Sequence, residues 1–220
     1  MKYYPINLDI NNRECLVVGA GSVGTRKVKT LIDCSARVTV VSPEVSDEIL
    51  SLETNNRIKV KKRPYKAQDL EGMFLVIGAT GDESTNRKIS LDAGRLNLLY
   101  NIADLPEACN FILPAIVKKG DLLISISTSG KSPAFAKKLR KDLEKQFGEE
   151  YSLFLKLMGC IRKKLLSEKH EPEAHKHFFE AIIEKGLLDL IKEKKTGDID
   201  TLLYEVLGDG YEYKKLMENG

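Results

Sequence analysis

An apolar run, Cys15-Leu16-Val17-Val18, leads into Gly19-Ala20-Gly21-Ser22-Val23-Gly24, after which apolar residues recur at Val28, Leu31 and Ile32. This pattern predicts a strand over 14–18, a glycine turn, and an amphipathic helix over 22–33 with Arg26, Lys27 and Lys29 toward solvent. Residues 6–10 predict a short lead-in strand, and Asn11-Asn12 a turn. The β-branched run at 36–41 predicts a second strand. A short helix is expected from about Glu44 to Glu53, and the alternating stretch 57–62 as an exposed edge strand. Residues 73–79, nearly all apolar, read as a central parallel strand covered on both faces. Thr80-Gly81-Asp82 breaks that strand, Asp82 is placed to cap a helix over 83–94, and 98–102 forms another strand ending at Ala103-Asp104. Strand, helix and strand within about thirty residues make a right-handed βαβ unit. The expected fold class is therefore α/β, a Rossmann-like doubly wound parallel sheet.

Beyond residue 110 the periodicity changes. Residues 111–117 and 122–127, joined by a turn at 118–121, predict a hairpin rather than another βα unit. Ser129-Gly130-Lys131-Ser132-Pro133 then opens a helix running through Phe147, with Pro133 suited to its first turn. From Glu149 onward the pattern is helical, with breaks at Glu171-Pro172, Gly186 and Thr196-Gly197. Three parts are expected: a nucleotide-binding domain over 1–112, a hairpin-plus-helix region over 113–147, and a helical domain over 148–220.

Composition changes this picture little. The 220 residues are 42% hydrophobic and 30% charged, with a formal charge of +3, too balanced to suggest a nucleic-acid partner. No apolar run is long enough to span a bilayer, and Met1-Lys2-Tyr3-Tyr4-Pro5 lacks the apolar core of a signal peptide, so a cytoplasmic protein is expected. The four cysteines, Cys15, Cys34, Cys109 and Cys160, form no metal or disulfide pattern. Cys15 reads as a small buried hydrophobe.

Strand, G-x-G-x-x-G and helix in that order place a pyrophosphate at the helix N-terminus. Gly19 permits the tight turn, Gly21 the approach of backbone to phosphate, and Gly24 close packing of helix on strand. Gly19, Ser42, Thr80 and Asp104 all fall at strand carboxyl ends, where the ligand crevice of such a sheet lies. Ser42, with Pro43-Glu44 beyond it, stands where an acidic residue usually meets the adenosine ribose. It can hydrogen-bond a hydroxyl or cap the helix starting near Glu44, and these residues do not decide between NAD and NADP. Asp104 is the candidate base, on the view that its carboxylate is partly withdrawn from water; an aspartate that simply forms the turn is the competing reading. The hydroxyl-rich stretch from Ser125 to Ser132 can bind carboxylates or simply cap a helix. His170, His175 and His177 lie in a charged segment that reads as solvated surface, with no metal site. The runs at 61–63, 118–119 and 137–141 read mainly as solvated faces.

Three stretches resemble the precorrin-2 dehydrogenase / sirohydrochlorin ferrochelatase family, the first module of siroheme synthases. They are Val18 through Lys27, Asn101-Ile102-Ala103-Asp104-Leu105-Pro106 leading to Phe111-Ile112-Leu113-Pro114-Ala115, and Ser127 through Ala134 with Leu139-Arg140. The resemblance covers roughly residues 1–150, and the tail matches only as a helical segment. It implies NAD-dependent oxidation of precorrin-2, a tetrapyrrole, to sirohydrochlorin, with ferrous iron as a further co-substrate where the chelatase activity is present. It implies Asp104 as the catalytic residue and Gly19, Gly21, Ser22, Val23, Pro43 and Glu44 around NAD, to which the glycine turn and the strand ends add Gly24, Ser42 and Thr80. Thr128, Ser129, Gly130, Lys131 and Ser132 are implied at the substrate, Thr128 standing where the family often has serine. It also implies a homodimer formed through 113–147 and a separate methyltransferase supplying precorrin-2. Two other classes remain beside it: a non-catalytic NAD-sensing dimer, and another NAD(P)-dependent oxidoreductase on the same fold.

Overall fold

The computed structural model describes residues 2–168 and 175–218, and the chain divides into two compact units, Met1–Leu113 and Pro114–Gly220. In the first, five parallel strands form one sheet: β1 (Glu14–Ala20), β2 (Arg37–Val45), β3 (Ile58–Lys61), β4 (Leu75–Gly78) and β5 (Leu99–Ile102). Their order is β3-β2-β1-β4-β5, so the strand order reverses at β1. Helices α1 (Ser22–Asp33), α2 (Asp47–Thr54) and α3 (Glu83–Arg95) complete the unit.

Strand periodicity divides the core into two layers. Cys15 and Val17 of β1 pack with Val28 and Leu31 of α1 and Ile49 of α2. Leu16 and Val18 point the other way and pack with Ile89 and Ala93 of α3. Because both faces are covered, the strand has to be apolar without alternation, as β1 and β4 are. Cys15 is fully buried, and that burial pushes its thiol up to about 11.

The structure differs from the reading of the sequence in several places, among them the first hairpin strand, which spans 115–119 rather than 111–117. Residues 6–10 form no strand, and Ile6 and Leu8 lie exposed. An apolar alternation makes a strand only where a neighbouring strand accepts its hydrogen bonds. β2 runs on to Val45, so α2 starts at Asp47 with Ser46 rather than Ser42 at its N-cap position. In the basic run at 61–63, Lys61 and Lys62 are exposed as expected, but Arg63 is partly buried and grips the Asp69 carboxylate through both guanidinium nitrogens (2.7 and 2.6 Å), and Lys61 adds a contact at 3.0 Å.

Asp69 is only 3% exposed, and it also accepts from the Lys66 amide at 3.0 Å. These donors hold its carboxyl well below the usual carboxylate range, the Arg63 bond contributing most. A group whose pKa is depressed by folding adds stability above its unfolded pKa and loses it as pH falls. Asp69→Asn should therefore destabilise the first unit by about 2 kcal/mol at neutral pH, since Arg63 and Lys61 retain some access to water. The difference from wild type should shrink as pH drops below about 4. Urea unfolding followed through amide signals of β1 and β4 measures it, and a difference independent of pH would contradict the assignment.

The second unit opens with a hairpin, β6 (Ala115–Lys119) and β7 (Leu122–Ile126), followed by α4 (Pro133–Gln146). Then come α5 (Glu149–Ser167), α6 (Lys176–Glu184), α7 (Leu187–Lys192), α8 (Thr196–Leu207) and α9 (Tyr213–Glu218). Leu157, Ile161 and Leu165, one turn apart on α5, face Ile182, Leu187, Ile199 and Leu203 from the following helices. Gly186 takes a left-handed φ of 79° between α6 and α7. The break expected at Glu171-Pro172 lies outside the described residues. Among those described, no helix is long and apolar enough to cross a membrane.

Candidate functional site

The carboxyl ends of β1, β2 and β4 surround a cleft of about 680 Å³ in the first unit, a size suited to a small organic ligand. Gly19 leaves β1 with φ 104°, a region glycine enters freely, and a Cβ there would run into the carbonyl of Ala79. A Cβ on Gly24 would strike the carbonyl oxygen of Gly19, so α1 packs against its own turn only because residue 24 is glycine. Gly21 is different: nothing lies within 4 Å of the position its Cβ would take. It is the N-cap of α1, no side chain caps that end, and the first turn carries no acidic residue. The opening amides and the positive end of the helix dipole therefore face open space beside the cleft. Such a cradle fits a pyrophosphate.

Six of the expected cofactor residues, Gly19, Gly21, Ser42, Pro43, Glu44 and Thr80, line the cleft, whereas Ser22, Val23 and Gly24 form the first turn of α1 beside it. Ser42 is buried, and its hydroxyl donates to the Glu44 carbonyl at 2.5 Å. That bond shapes the end of β2 and leaves the exposed Glu44 carboxylate projecting from it. Thr80 is held by the buried Asn86, whose Oδ1 accepts from the Thr80 hydroxyl at 2.8 Å and whose amide donates to the Thr80 carbonyl at 3.0 Å. Asp82 accepts from the Ser84 and Thr85 amides, and the surrounding hydroxyls help bring its carboxyl down to about 2.

Pro64, Tyr65 and Asp82 also line the cleft, and the sequence reading did not name them as ligand-facing. Pro64 and Tyr65 follow the end of β3, so the strand-end rule that found Ser42 and Thr80 reaches them once β3 is given its place in the sheet. Tyr65 is buried, and its hydroxyl donates to Asp92 at 3.1 Å. Arg63 donates to the Pro64 carbonyl at 3.0 Å, so the Asp69 clamp reaches the cleft wall.

Asp104 follows the last residues of β5 with φ 61°, a left-handed conformation that few residues other than glycine, asparagine and aspartate adopt readily. Its side chain is exposed, so the withdrawal from water expected of it is absent in this chain. The turn carries the residue past the end of the sheet, away from packed neighbours. Lys27 of α1, expected at the surface, is half-buried. Burial pushes its ammonium down from the ordinary value and Arg26 adds to this, while the nearby Asp104 carboxylate opposes it. The strand order thus brings together two charged residues that lie far apart in sequence.

In the second unit, Ser132 caps α4 by accepting from the Phe135 amide at 3.3 Å, and Thr128 Oγ1 accepts from the Ser132 amide at 3.2 Å. Ser129 (φ 54°) and Gly130 (φ 81°) form the exposed left-handed tip of this loop, with Lys131 exposed beside them. His175 is buried at 2% exposure rather than solvated, because it joins the helical unit at the start of α6. His177 packs on Phe178 with ring centroids 4.0 Å apart, and His170 lies outside the described residues.

Comparison with known proteins follows the same division. A family profile described as NAD(P)-binding matches residues 6–115, and one described as sirohaem biosynthesis protein central matches residues 119–146. The siroheme synthase of Methylococcus capsulatus is 32% identical over 205 residues, covering 93% of this chain and 43% of that protein. That of Vesicomyosocius okutanii is 34% identical over 182 residues, covering 83% and 39%. The chain thus spans less than half the length of these relatives. Among solved structures, SirC, a precorrin-2 dehydrogenase, superposes with a TM-score of 0.77 at 28% identity, covering 93% of this chain and 98% of that one. The chain belongs to the precorrin-2 dehydrogenase and siroheme synthase family of NAD(P)-binding proteins.

Proposed function

We propose that this protein oxidises precorrin-2 to sirohydrochlorin with NAD as hydride acceptor. The observation that carries the reading is the uncapped glycine turn at the strand-order reversal, in a fold shared over nearly its whole length with a precorrin-2 dehydrogenase. A bound nicotinamide supplies the acceptor for two electrons and one hydrogen. The proton released from the tetrapyrrole goes to Asp104, which stands just past a strand end and within electrostatic reach of Lys27. The same carboxylate can receive pyrrole protons if ferrous iron is inserted. Ser22, Val23 and Gly24 offer helix-end amides to the pyrophosphate. Thr128, Ser129, Gly130, Lys131 and Ser132 bind carboxylates of the tetrapyrrole, the exposed Lys131 supplying charge.

The charged side chains lining the cleft are Glu44 and Asp82, both acidic. Glu44 accepts from a ribose hydroxyl, whereas a 2′-phosphate would meet negative charge at the end of β2. NAD should therefore be preferred over NADP by at least about tenfold in kcat/KM, a margin of about 1.4 kcal/mol. The protein acts as a homodimer: Ile116 and Leu123, on one face of the hairpin, and Phe135 of α4 are exposed apolar residues suited to a partner surface.

Anaerobic incubation with freshly made precorrin-2, with NAD, NADP or neither, followed by absorbance, tests the reading. NAD-dependent formation of sirohydrochlorin is expected, and ferrous iron added to the same cuvette reads out chelation. Tight NAD binding without turnover would replace the enzyme by an NAD-sensing dimer. Turnover with NADP alone would overturn the role given to Glu44.

A further inference from the structure

The loop that carries Asp104 is closed by side chains. After Ile102 the chain turns through Ala103 and Asp104, makes one 3₁₀ turn at Pro106–Ala108, and returns beside β5. β5 is the last strand of its sheet, so its outward backbone groups need partners other than a strand. Asn110 supplies them at Tyr100 and Leu98. Its Oδ1 accepts from the Tyr100 amide at 2.8 Å, its own amide donates to the Tyr100 carbonyl at 3.2 Å, and its Nδ2 donates to the Leu98 carbonyl at 2.7 Å.

Cys109 does the same nearer the turn. Its Sγ accepts from the Ile102 amide at 3.1 Å, and its S–H faces the carbonyls of Leu105 at 3.2 Å and Ile102 at 3.4 Å. These carbonyls belong to residues on either side of Asp104. Asn101 reaches across the same neck to the Phe111 carbonyl at 3.0 Å. Burial pushes the Cys109 thiol up, the Ile102 amide opposes this, and Glu107 raises it further, so the sulfur keeps the proton it donates.

We propose that Cys109 and Asn110 are positioning residues for Asp104, closing the neck of its loop so that the carboxylate is held in its left-handed turn at the end of β5. The inference rests on Asp104 being the base of the proposed reaction. The bonds that cross the neck at Cys109, which include one from Asn101 Nδ2 at 3.6 Å, are all weak sulfur bonds, and a thiol reaches farther than a hydroxyl. Loss of the sulfur therefore loosens the turn without disturbing the glycine cradle at β1. Serine, with a shorter reach but the same donor and acceptor, restores part of the closure.

The test compares wild type with Cys109→Ala and Cys109→Ser in three measurements: precorrin-2 oxidation, direct NAD binding, and amide hydrogen exchange. Cys109→Ala should lower kcat about tenfold with the NAD Kd within twofold of wild type, and Cys109→Ser should recover part of the loss. Exchange at the Ile102 amide should quicken about tenfold in Cys109→Ala, with β1 and β4 amides unchanged. An unchanged Ile102 amide overturns the proposal, as does a kcat loss accompanied by an equal loss of NAD affinity or left unrelieved by serine. If wild type itself does not oxidise precorrin-2, the function assigned to Asp104 falls. The exchange comparison then decides alone whether Cys109 holds the turn.

Discussion

Asp104→Asn should lower kcat for precorrin-2 oxidation by about 10²–10⁴-fold, the range lost when a positioned general base is removed. The NAD dissociation constant should stay within about twofold, an allowance well below the tenfold that 1.4 kcal/mol would bring, because Asp104 is not among the residues lining the nucleotide cleft. Asparagine is the informative replacement. It tolerates a φ of 61° nearly as well as aspartate, so the turn survives and only the proton acceptor is lost. Asp104→Ala adds backbone strain of about 1 kcal/mol and should fall at least as far. Anaerobic absorbance under saturating NAD measures both. Turnover of the asparagine variant within threefold of wild type would remove Asp104 from the chemistry.

Asp104 also shows where a sequence stops being legible. Its place at a strand end followed from the strand read at 98–102, which ends at Ala103-Asp104. Its exposure did not follow, because that depends on how far the turn carries it beyond the sheet. Lys27 shows the converse. Next to Arg26 on a helix it reads as one of several surface cations, yet the packing of α1 against the sheet half-buries it and brings the Asp104 carboxylate near. Facing relations of this kind depend on strand order, and strand order is not local.

The same distinction separates Ser42 from Asp69. The end of β2 was found within a few residues, but Ser42 turns its hydroxyl back to the Glu44 carbonyl because the strand runs on to Val45. Asp69 carried no signal at all: it is one acid in a charged stretch until the chain folds it under Arg63 and Lys61. Capping, by contrast, was legible, since Asp82 and Ser132 act on amides two or three residues away. The lead-in strand failed for the opposite reason, being a local pattern with no partner in space.

The three glycines of the turn should separate folding from binding. Gly24→Ala places a methyl group against the Gly19 carbonyl oxygen, and Gly19→Ala adds an unfavourable φ to a collision with Ala79. Both positions are closed by backbone, which has no easy way to give. Each substitution should destabilise the first unit by about 1–3 kcal/mol, as overpacking does, and distort the cradle as a consequence. Gly21→Ala meets neither obstacle, for its φ is −75° and its Cβ has open space. It should unfold at the wild-type temperature or slightly above, since alanine restricts the unfolded chain. That open space, however, is where a pyrophosphate would approach the helix amides. The same methyl group should therefore weaken NAD binding about 100-fold, equivalent to about 2.7 kcal/mol. Thermal unfolding and titration calorimetry on the three variants decide the matter. A Gly21→Ala protein of full stability that binds NAD like wild type would place the phosphates elsewhere, because steric exclusion is the only effect a methyl group can exert there.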